Sequence, residues 1–385
     1  MQSTLLSPEF ELLRSCYSVN PSTNLKNSNR REQTINELLF KNLVIRHRVA
    51  PIVFFNLKDD PILSKELREW LKKMTEHVQV ASLKSLQMML KIQKELNQKK
   101  VQGVFLKGIP LAEMYYGDVG LRESIDIDLW VEPKGFVEIF SWIKSIGYNS
   151  KLNIEKMNEH QVAYIQKTDH HHSLITNRSD FPREIELHWK IKGSSSAFDL
   201  SSDRIQLANW SSGEMSLSVL GHIDQFIYLC VHGTEHAWFR LKWLFDLPQL
   251  IEKTEFDWAK VKNRAIELNS LAHVEISFLV LRNILDLGIP SPIMDEIIPE
   301  KYNRQLEYIY AVMGSEKGIN EADRNRLRHV IFLWSLNKKK VDVSMFLKYL
   351  TSPGDWKFFP LPQNLFLLYF PLRPILWLIR RLINH

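Results

Sequence analysis

Two aspartates one residue apart, Asp126 and Asp128, lie in the segment Ser124-Ile125-Asp126-Ile127-Asp128-Leu129-Trp130-Val131. Apolar and polar residues alternate there with a period of two, which is the pattern of a half-buried strand. Side chains two apart on a strand share a face. Ile127, Leu129 and Val131 therefore point to a core, and Asp126 and Asp128 stand together on the other side. Neighbouring carboxylates repel unless a cation lies between them. A pair of hard oxygen ligands that leaves room for phosphate or water suits Mg²⁺. A solitary D-x-D also occurs as an ordinary solvated strand face, so its surroundings decide its meaning.

Two other features supply those surroundings. Lys107-Gly108 follows the short apolar run Val104-Phe105-Leu106 and precedes Pro110, a good first-turn residue for a helix. Gly108 allows a sharp turn, and the helix start beyond it offers free N–H groups to an anion, with Lys107 adding a cation. The second feature is Glu184-Ile185-Glu186-Leu187-His188-Trp189-Lys190-Ile191. It alternates cleanly, with Glu184, Glu186, His188 and Lys190 on one side and Ile185, Leu187, Trp189 and Ile191 on the other. On a neighbouring strand, Glu186 could complete a three-carboxylate site.

These residues have to be positioned by a mixed architecture. Residues 1–100 carry helical apolar spacing, as at Leu83, Leu86, Leu90 and Leu96, with no chemistry-bearing pattern. From 101 to 200 the order is a strand to Leu106, a helix through Tyr115, the Asp126 strand, a helix from Lys134 to Ile146, and three expected strands. Those three are His160 to Gln166, His170 to Thr176 and Arg183 to Ile191. From 201 to 385 helices dominate again, with long ones expected at Asp224 to Ile251, Phe256 to Leu285 and Tyr302 to Leu350. The fold class is α+β: a small mixed sheet flanked by N-terminal and C-terminal helical regions.

Composition bounds the partners. The chain has 385 residues, 45% hydrophobic and 24% charged, with a net charge of +6. That is ordinary globular composition. The modest positive balance tolerates anionic ligands without demanding them. Cys16 and Cys230 cannot build a disulfide framework or a CxxC metal site, so a reducing cytoplasm is expected. Met1 to Ser7 has no secretory pattern. Leu365 to Ile383 is span-length but contains Arg373, Arg380 and Arg381, which argues against a membrane span. Its apolar residues recur at helical spacing from Ile375 to Ile383, with Arg380 and Arg381 on the other side. That stretch is expected to dock within the molecule, on a partner or on an anionic membrane surface.

Phe105-Leu106-Lys107-Gly108, then Arg122, then Asp126-Ile127-Asp128-Leu129, then Glu186-Leu187-His188-Trp189 together resemble an uncharacterised bacterial nucleotidyltransferase family of the DNA polymerase β-type superfold. The stretch His232, His236, Trp238, Arg240-Leu241, Trp243 and Asp246 is similar to that family's helical half. The resemblance covers roughly residues 35 to 380. The wider superfamily has Gly-Ser where this chain has Lys107-Gly108, so a serine contact to phosphate has no counterpart here. The resemblance implies transfer of NMP from an NTP to an acceptor hydroxyl on a small molecule, sugar, peptide or protein. Asp126 and Asp128 would hold Mg²⁺, with Glu186 as third carboxylate or proton acceptor. Lys107, Gly108, Arg122 and His188 would meet the nucleotide. For Arg122, an ion pair with Glu123 or Asp118 is the plain alternative.

Other patterns compete. His170 and His172 would share a strand face and could take zinc, with His171 opposite. His232, Glu235 and His236 match H-x-x-E-H, the inverted zinc-hydrolase signature. The aromatic set Trp238, Phe239, Trp243 and Phe245 reads as core. With no dense basic patch, nucleic-acid binding is not expected. There is no GxxxxGK[ST] loop, so a P-loop ATPase is not supported. A fold-retaining binding module without turnover stays open beside the enzyme.

Overall fold

A computed structural model of the chain describes residues 7–18, 35–150, 157–191, 198, 205–212, 215–288, 296–314, 322–336 and 350–383. All but Ser7 of the N-terminal heptad, and residues 315–321 and 337–349 of the expected Tyr302 to Leu350 helix, lie outside the described residues.

Seven described strands form one mixed sheet: β1 Gly103–Phe105, β2 Asp126–Val131, β3 Asn149–Ser150, β4 His171–Ile175, β5 Glu184–His188, β6 Leu207–Ser212 and β7 Met215–Leu220. Their spatial order is β3-β4-β5-β2-β1-β7-β6. The pairs β2–β5 and β1–β7 run parallel; the other neighbours run antiparallel.

The strand alternation read from the sequence is what divides the molecule into layers. Ile127, Leu129 and Val131 of β2 join Ile185 and Leu187 of β5 in one core, against Met88, Ile92 and Leu96 of the helix Lys65–Lys99 and Ile139 and Ile143 of the helix Phe136–Ser145. The opposite face is covered too. Trp130, Val104 and Leu106 enter a larger core with the helices His222–Glu235, Leu241–Lys253 and Leu271–Leu285 and the N-terminal helices. A polar residue on that second face is therefore enclosed between the sheet and the helical half of the molecule.

Three sequence expectations change. Residues 160–166 form part of a helix, Glu159–Thr168, rather than a strand. Asn158 caps it through a reciprocal pair with Gln161, a local signal stronger than the short apolar alternation. The segment Leu207–Leu220, beyond the expected end of the sheet at 200, adds β6 and β7 to it. The expected helix Asp224 to Ile251 is two helices, broken at residues 236–240, where Ala237 and Trp238 take positive φ. The break lets the fully buried Trp238 fold back on Gly233, where a Cβ would sit 2.2 Å from its ring. Gly233 is thus a packing requirement and not a helix flaw. In the same way the expected Phe256 to Leu285 helix is two, Trp258–Glu267 and Leu271–Leu285.

The C-terminal helix Tyr369–Ile383 is turned in an unexpected direction. Arg373 and Arg380 point inward and share the fully buried Asp355, at 2.6 and 2.8 Å. Tyr369 and Leu376 pack inward with Trp356, Phe366 and Ile165. The apolar stripe, including Leu378 at 53% and Leu382 at 71% exposure, faces outward. Among the described residues, no helix is long and apolar enough to cross a membrane.

Candidate active site

Register brings the acidic residues of β2 and β5 side by side. Asp126 lies opposite Glu184, Asp128 opposite Glu186, and Trp130 opposite His188. Because paired positions on parallel strands share a face, Asp128, Glu186 and His188 meet. Ligand atoms from these three all lie within 4.8 Å of one another. His188 Nε2 is 3.3 Å from Asp128 Oδ1 and 3.6 Å from Glu186 Oε2. Asp126 is on the same face one strand step away, ~7 Å along the chain, and is not among the three that converge.

Lys107 enters from the end of β1. Leu106 N–H donates to Asp128 O at 3.1 Å, which fixes the chain just before the turn. Gly108 then adopts φ +87°, and a Cβ there would meet Ser124 Oγ at 3.0 Å. Glycine is the residue that fits both the dihedral and the space. The turn places Lys107 Nζ 3.2 Å from Asp128 Oδ1.

The electrostatics are those of a tight charge cluster in a poorly solvated place. Asp128 is 1% exposed. Burial opposes its charge, but Lys107 and His188 outweigh that and hold its pKa well below the usual carboxylate range. Burial likewise opposes the Lys107 ammonium, and Asp128 and Asp126 reverse the effect, raising its pKa. His188 is pulled down by burial and raised further by Asp128 and Glu186. Among the described residues, neither Asp128 oxygen and neither His188 ring nitrogen has an aligned hydrogen-bond partner. Buried polar atoms are costly in that condition, and acceptor oxygens in that condition fit a cation. Solvent reaches the group at Glu186, whose side chain is 23% exposed, and at Lys107 and His171.

Arg122 is placed differently from the expected phosphate contact. It is buried, and its Nε and Nη2 donate to Asp246 Oδ1 and Oδ2 at 2.6 and 2.7 Å. Tyr116 hydroxyl donates to Asp246 Oδ1 at 2.8 Å. Neither neighbour in sequence, Glu123 nor Asp118, supplies the partner; it comes from the helix Leu241–Lys253, far along the chain.

The histidine run also differs from expectation. β4 begins at His171, so His171 pairs with His188 and faces the carboxylates, while His172 faces away and contacts Ser150 Oγ at 2.7 Å. His171 Nε2 is 3.9 Å from Glu186 Oε1. The H-x-x-E-H residues do not assemble a ligand set. His236 is the cap after the helix end, His232 and His236 pack edge to face at 4.7 Å, and among the described residues the convergent His and carboxylate groups lie elsewhere.

A family model described as Uncharacterised nucleotidyltransferase matches residues 33–286, well over half the chain. The chain belongs to this family. No curated protein matches it. The family match encloses Lys107, Gly108, Arg122, Asp126, Asp128, Glu186 and His188, as well as all seven described strands, and the C-terminal helix lies beyond it.

Several side chains around this nucleotidyltransferase-family cluster carried no readable signal. Tyr228, on the helix His222–Glu235, is buried, its pKa is raised by burial, and its hydroxyl lies within the field of Lys107 and Asp128. Lys242 is buried at the foot of the next helix and donates to Glu123 O at 3.1 Å. Burial, with Arg122 beside it, lowers its pKa to about 7. A cavity of about 750 Å³ lies where β2 and β5 begin, against the helix Lys65–Lys99, with Ser124, Ile125, Phe181 and Glu184 in its wall.

Proposed function

We propose that the chain is a Mg²⁺-dependent nucleotidyltransferase that moves NMP from an NTP to an acceptor hydroxyl on a small molecule, sugar, peptide or protein. We further read the domain as a polymerase β-type fold working in the cytoplasm. One observation carries this reading: Asp128 holds two buried oxygens without an aligned donor, directly beside Glu186, at the end of the Lys107-Gly108 turn.

That donor set fits a hard divalent ion, because two carboxylates from adjacent strands converge and solvent still reaches one of them. Asp128 and Glu186 would hold the ion, with Asp126 supporting from one step along β2. When bound, Mg²⁺ polarises the α-phosphate and offsets charge on the departing pyrophosphate. Lys107 would bind the β- and γ-phosphates, and Gly108 lets the backbone come close to them. His188 would hold Asp128 in position. Glu186, the more exposed carboxylate, would accept the proton of the attacking hydroxyl.

A second reading has its own observation. Lys107 already rests on Asp128, and Arg122 is committed to Asp246, so two expected phosphate cations face carboxylates of the chain itself. This favours a binding module that retains the fold without turnover. Incubating full-length protein with α-labelled NTPs, Mg²⁺ and cell extract separates the two. Transfer of label with pyrophosphate release supports the enzyme, and nucleotide binding without release supports the module. If wild type binds MgATP or MgGTP no better than Asp126→Asn/Asp128→Asn, the nucleotide reading is lost.

A further inference from the structure

A second ligand cluster sits beside the carboxylates and does not depend on nucleotide transfer. His170, His171 and His188 offer ring nitrogens that all lie within 4.8 Å of one another. Their rings are packed at 4.5, 5.4 and 5.0 Å between centroids. His170 Nε2 and His171 Nδ1 approach to 3.2 Å. Two imidazole nitrogens on one tetrahedral zinc ion, each ~2.0–2.1 Å from it, are separated by about 3.3 Å. The remaining nitrogens of the pair are backed by acid groups. His170 Nδ1 is 3.2 Å from Asp169 Oδ1, and His171 Nε2 is 3.9 Å from Glu186 Oε1. His188 Nε2 is likewise 3.3 Å from Asp128 Oδ1. A carboxylate near a metal-ligating imidazole raises its basicity.

We infer that His170, His171 and His188 form a binding site for a zinc-type divalent transition metal, adjoining the Asp128–Glu186 pair through His188. Three imidazoles select a borderline-soft ion over Mg²⁺. The site clamps the start of β4 to the end of β5, and with three protein ligands it keeps a fourth position for solvent or an exogenous group. His172, which the alternation alone would have paired with His170, takes no part because it lies on the opposite face.

The test uses full-length protein freed of metal and titrated with Zn²⁺ or Co²⁺ in the absence of nucleotide. Wild type is expected to bind about one equivalent, with the visible absorption of tetrahedral Co²⁺ and a rise in melting temperature that Mg²⁺ does not produce. His170→Gln and His171→Gln should each lose ~100-fold in affinity, while Asp126→Asn and His172→Gln keep the binding. No binding by wild type overturns the site, and so does unchanged binding in both His170→Gln and His171→Gln. Because wild type is read by melting temperature as well, a variant that fails to fold leaves the test intact. Loss of nucleotide transfer in Asp126→Asn with zinc binding preserved distinguishes this site from the transferase reading.

An independent observation concerns the outward face of the helix Tyr369–Ile383. Ile375, Leu378, Ile379 and Leu382 are exposed on a helix whose polar anchors, Arg373 and Arg380, are half-buried against Asp355. Trp377 lies beside them with the Arg381 guanidinium 5.1 Å from its ring. Asp355 is the sole acidic residue between Leu350 and His385, and it is fully buried, so the exposed charges here, Lys357 and Arg381, are basic. We propose that this face lies on an anionic lipid bilayer, with the apolar stripe in the acyl boundary and the basic groups at the headgroups. Co-sedimentation with phosphatidylglycerol-containing vesicles should exceed that with pure phosphatidylcholine, and Leu378→Asp/Leu382→Asp should cut it about tenfold without lowering the melting temperature. Wild type that stays in the supernatant of both vesicles overturns the proposal. So does a stable dimer whose dissociation by the same substitutions leaves vesicle binding unchanged, since a second copy then covers the face.

Discussion

Two ion pairs lie between the sheet and the helical half, and they are built differently. Arg122 and Asp246 meet fork to fork, and Tyr116 adds a third hydrogen bond. Lys107 and Asp128 meet at a single 3.2 Å contact, with neither carboxylate oxygen aligned to a donor. A guanidinium supplies paired donors in a fixed plane and saturates a carboxylate, whereas an ammonium is a point charge that leaves lone pairs over. The first pair ties the sheet half to the helical half. The second keeps its oxygens available. Arginine at one place and lysine at the other thus mark a tether and a candidate site.

The largest effect that would break this comparison is on stability. Arg122→Ala leaves Asp246 charged and buried, and it should cost ~3–5 kcal/mol in urea unfolding. A loss below about 1 kcal/mol would mean the tether is dispensable. Asp128→Asn should act the other way round. It should cost less in unfolding than Arg122→Ala, because Lys107 keeps some solvent contact and has Asp126 nearby, while label transfer falls by ~10²–10³-fold, the scale of losing a preorganised electrostatic group. Equal damage to folding and to transfer would erase the distinction between the two pairs.

The smallest effect sharpens the tether's surroundings. His47 accepts a hydrogen bond from Leu241 N–H at 3.2 Å, where the helix carrying Asp246 begins. Burial, with Arg46 and Arg240 nearby, lowers its pKa to about 3. A folded pKa below the unfolded value of 6.5 means that its contribution is present above pH 6.5 and is lost as pH falls toward 3. Stability should therefore drop between pH 7 and pH 5 by ~2 kcal/mol, at about 1.4 kcal/mol per pH unit for one proton. His47→Gln, which retains an acceptor, should flatten that slope in unfolding curves taken across the range. A slope unchanged by the substitution would assign the proton elsewhere.

Several parts of the candidate site were legible in the chain because they are local. The β2 alternation, the Gly108 turn and the Glu184–His188 alternation depend on dihedral preference and on a period of two, both of which neighbouring residues report. Local pattern misled where a longer-range contact took over. The helix Glu159–Thr168 was hidden by apolar alternation although its Asn158–Gln161 cap was present. The break after Glu235 required Trp238 to find Gly233, and β6 and β7 required a partner edge at β1. The role of His171 turned on where β4 begins, since a shift of one residue exchanges the two faces.

By itself the sequence determined that Asp126 and Asp128 share a strand face, that Lys107 precedes a glycine turn, and that a mixed sheet stands among helices. These follow from steric and hydrophobic preferences acting over a few residues. Only the tertiary structure decided that Asp128 meets Glu186 and His188 while Asp126 stands one step aside, that Arg122 is held by Asp246, and that Arg373 and Arg380 turn inward. Each of those outcomes depends on strand register or on burying a charge with a partner far along the chain. Register and charge pairing are settled by the whole packed molecule, because a buried ion is tolerated only where its counter-charge also arrives.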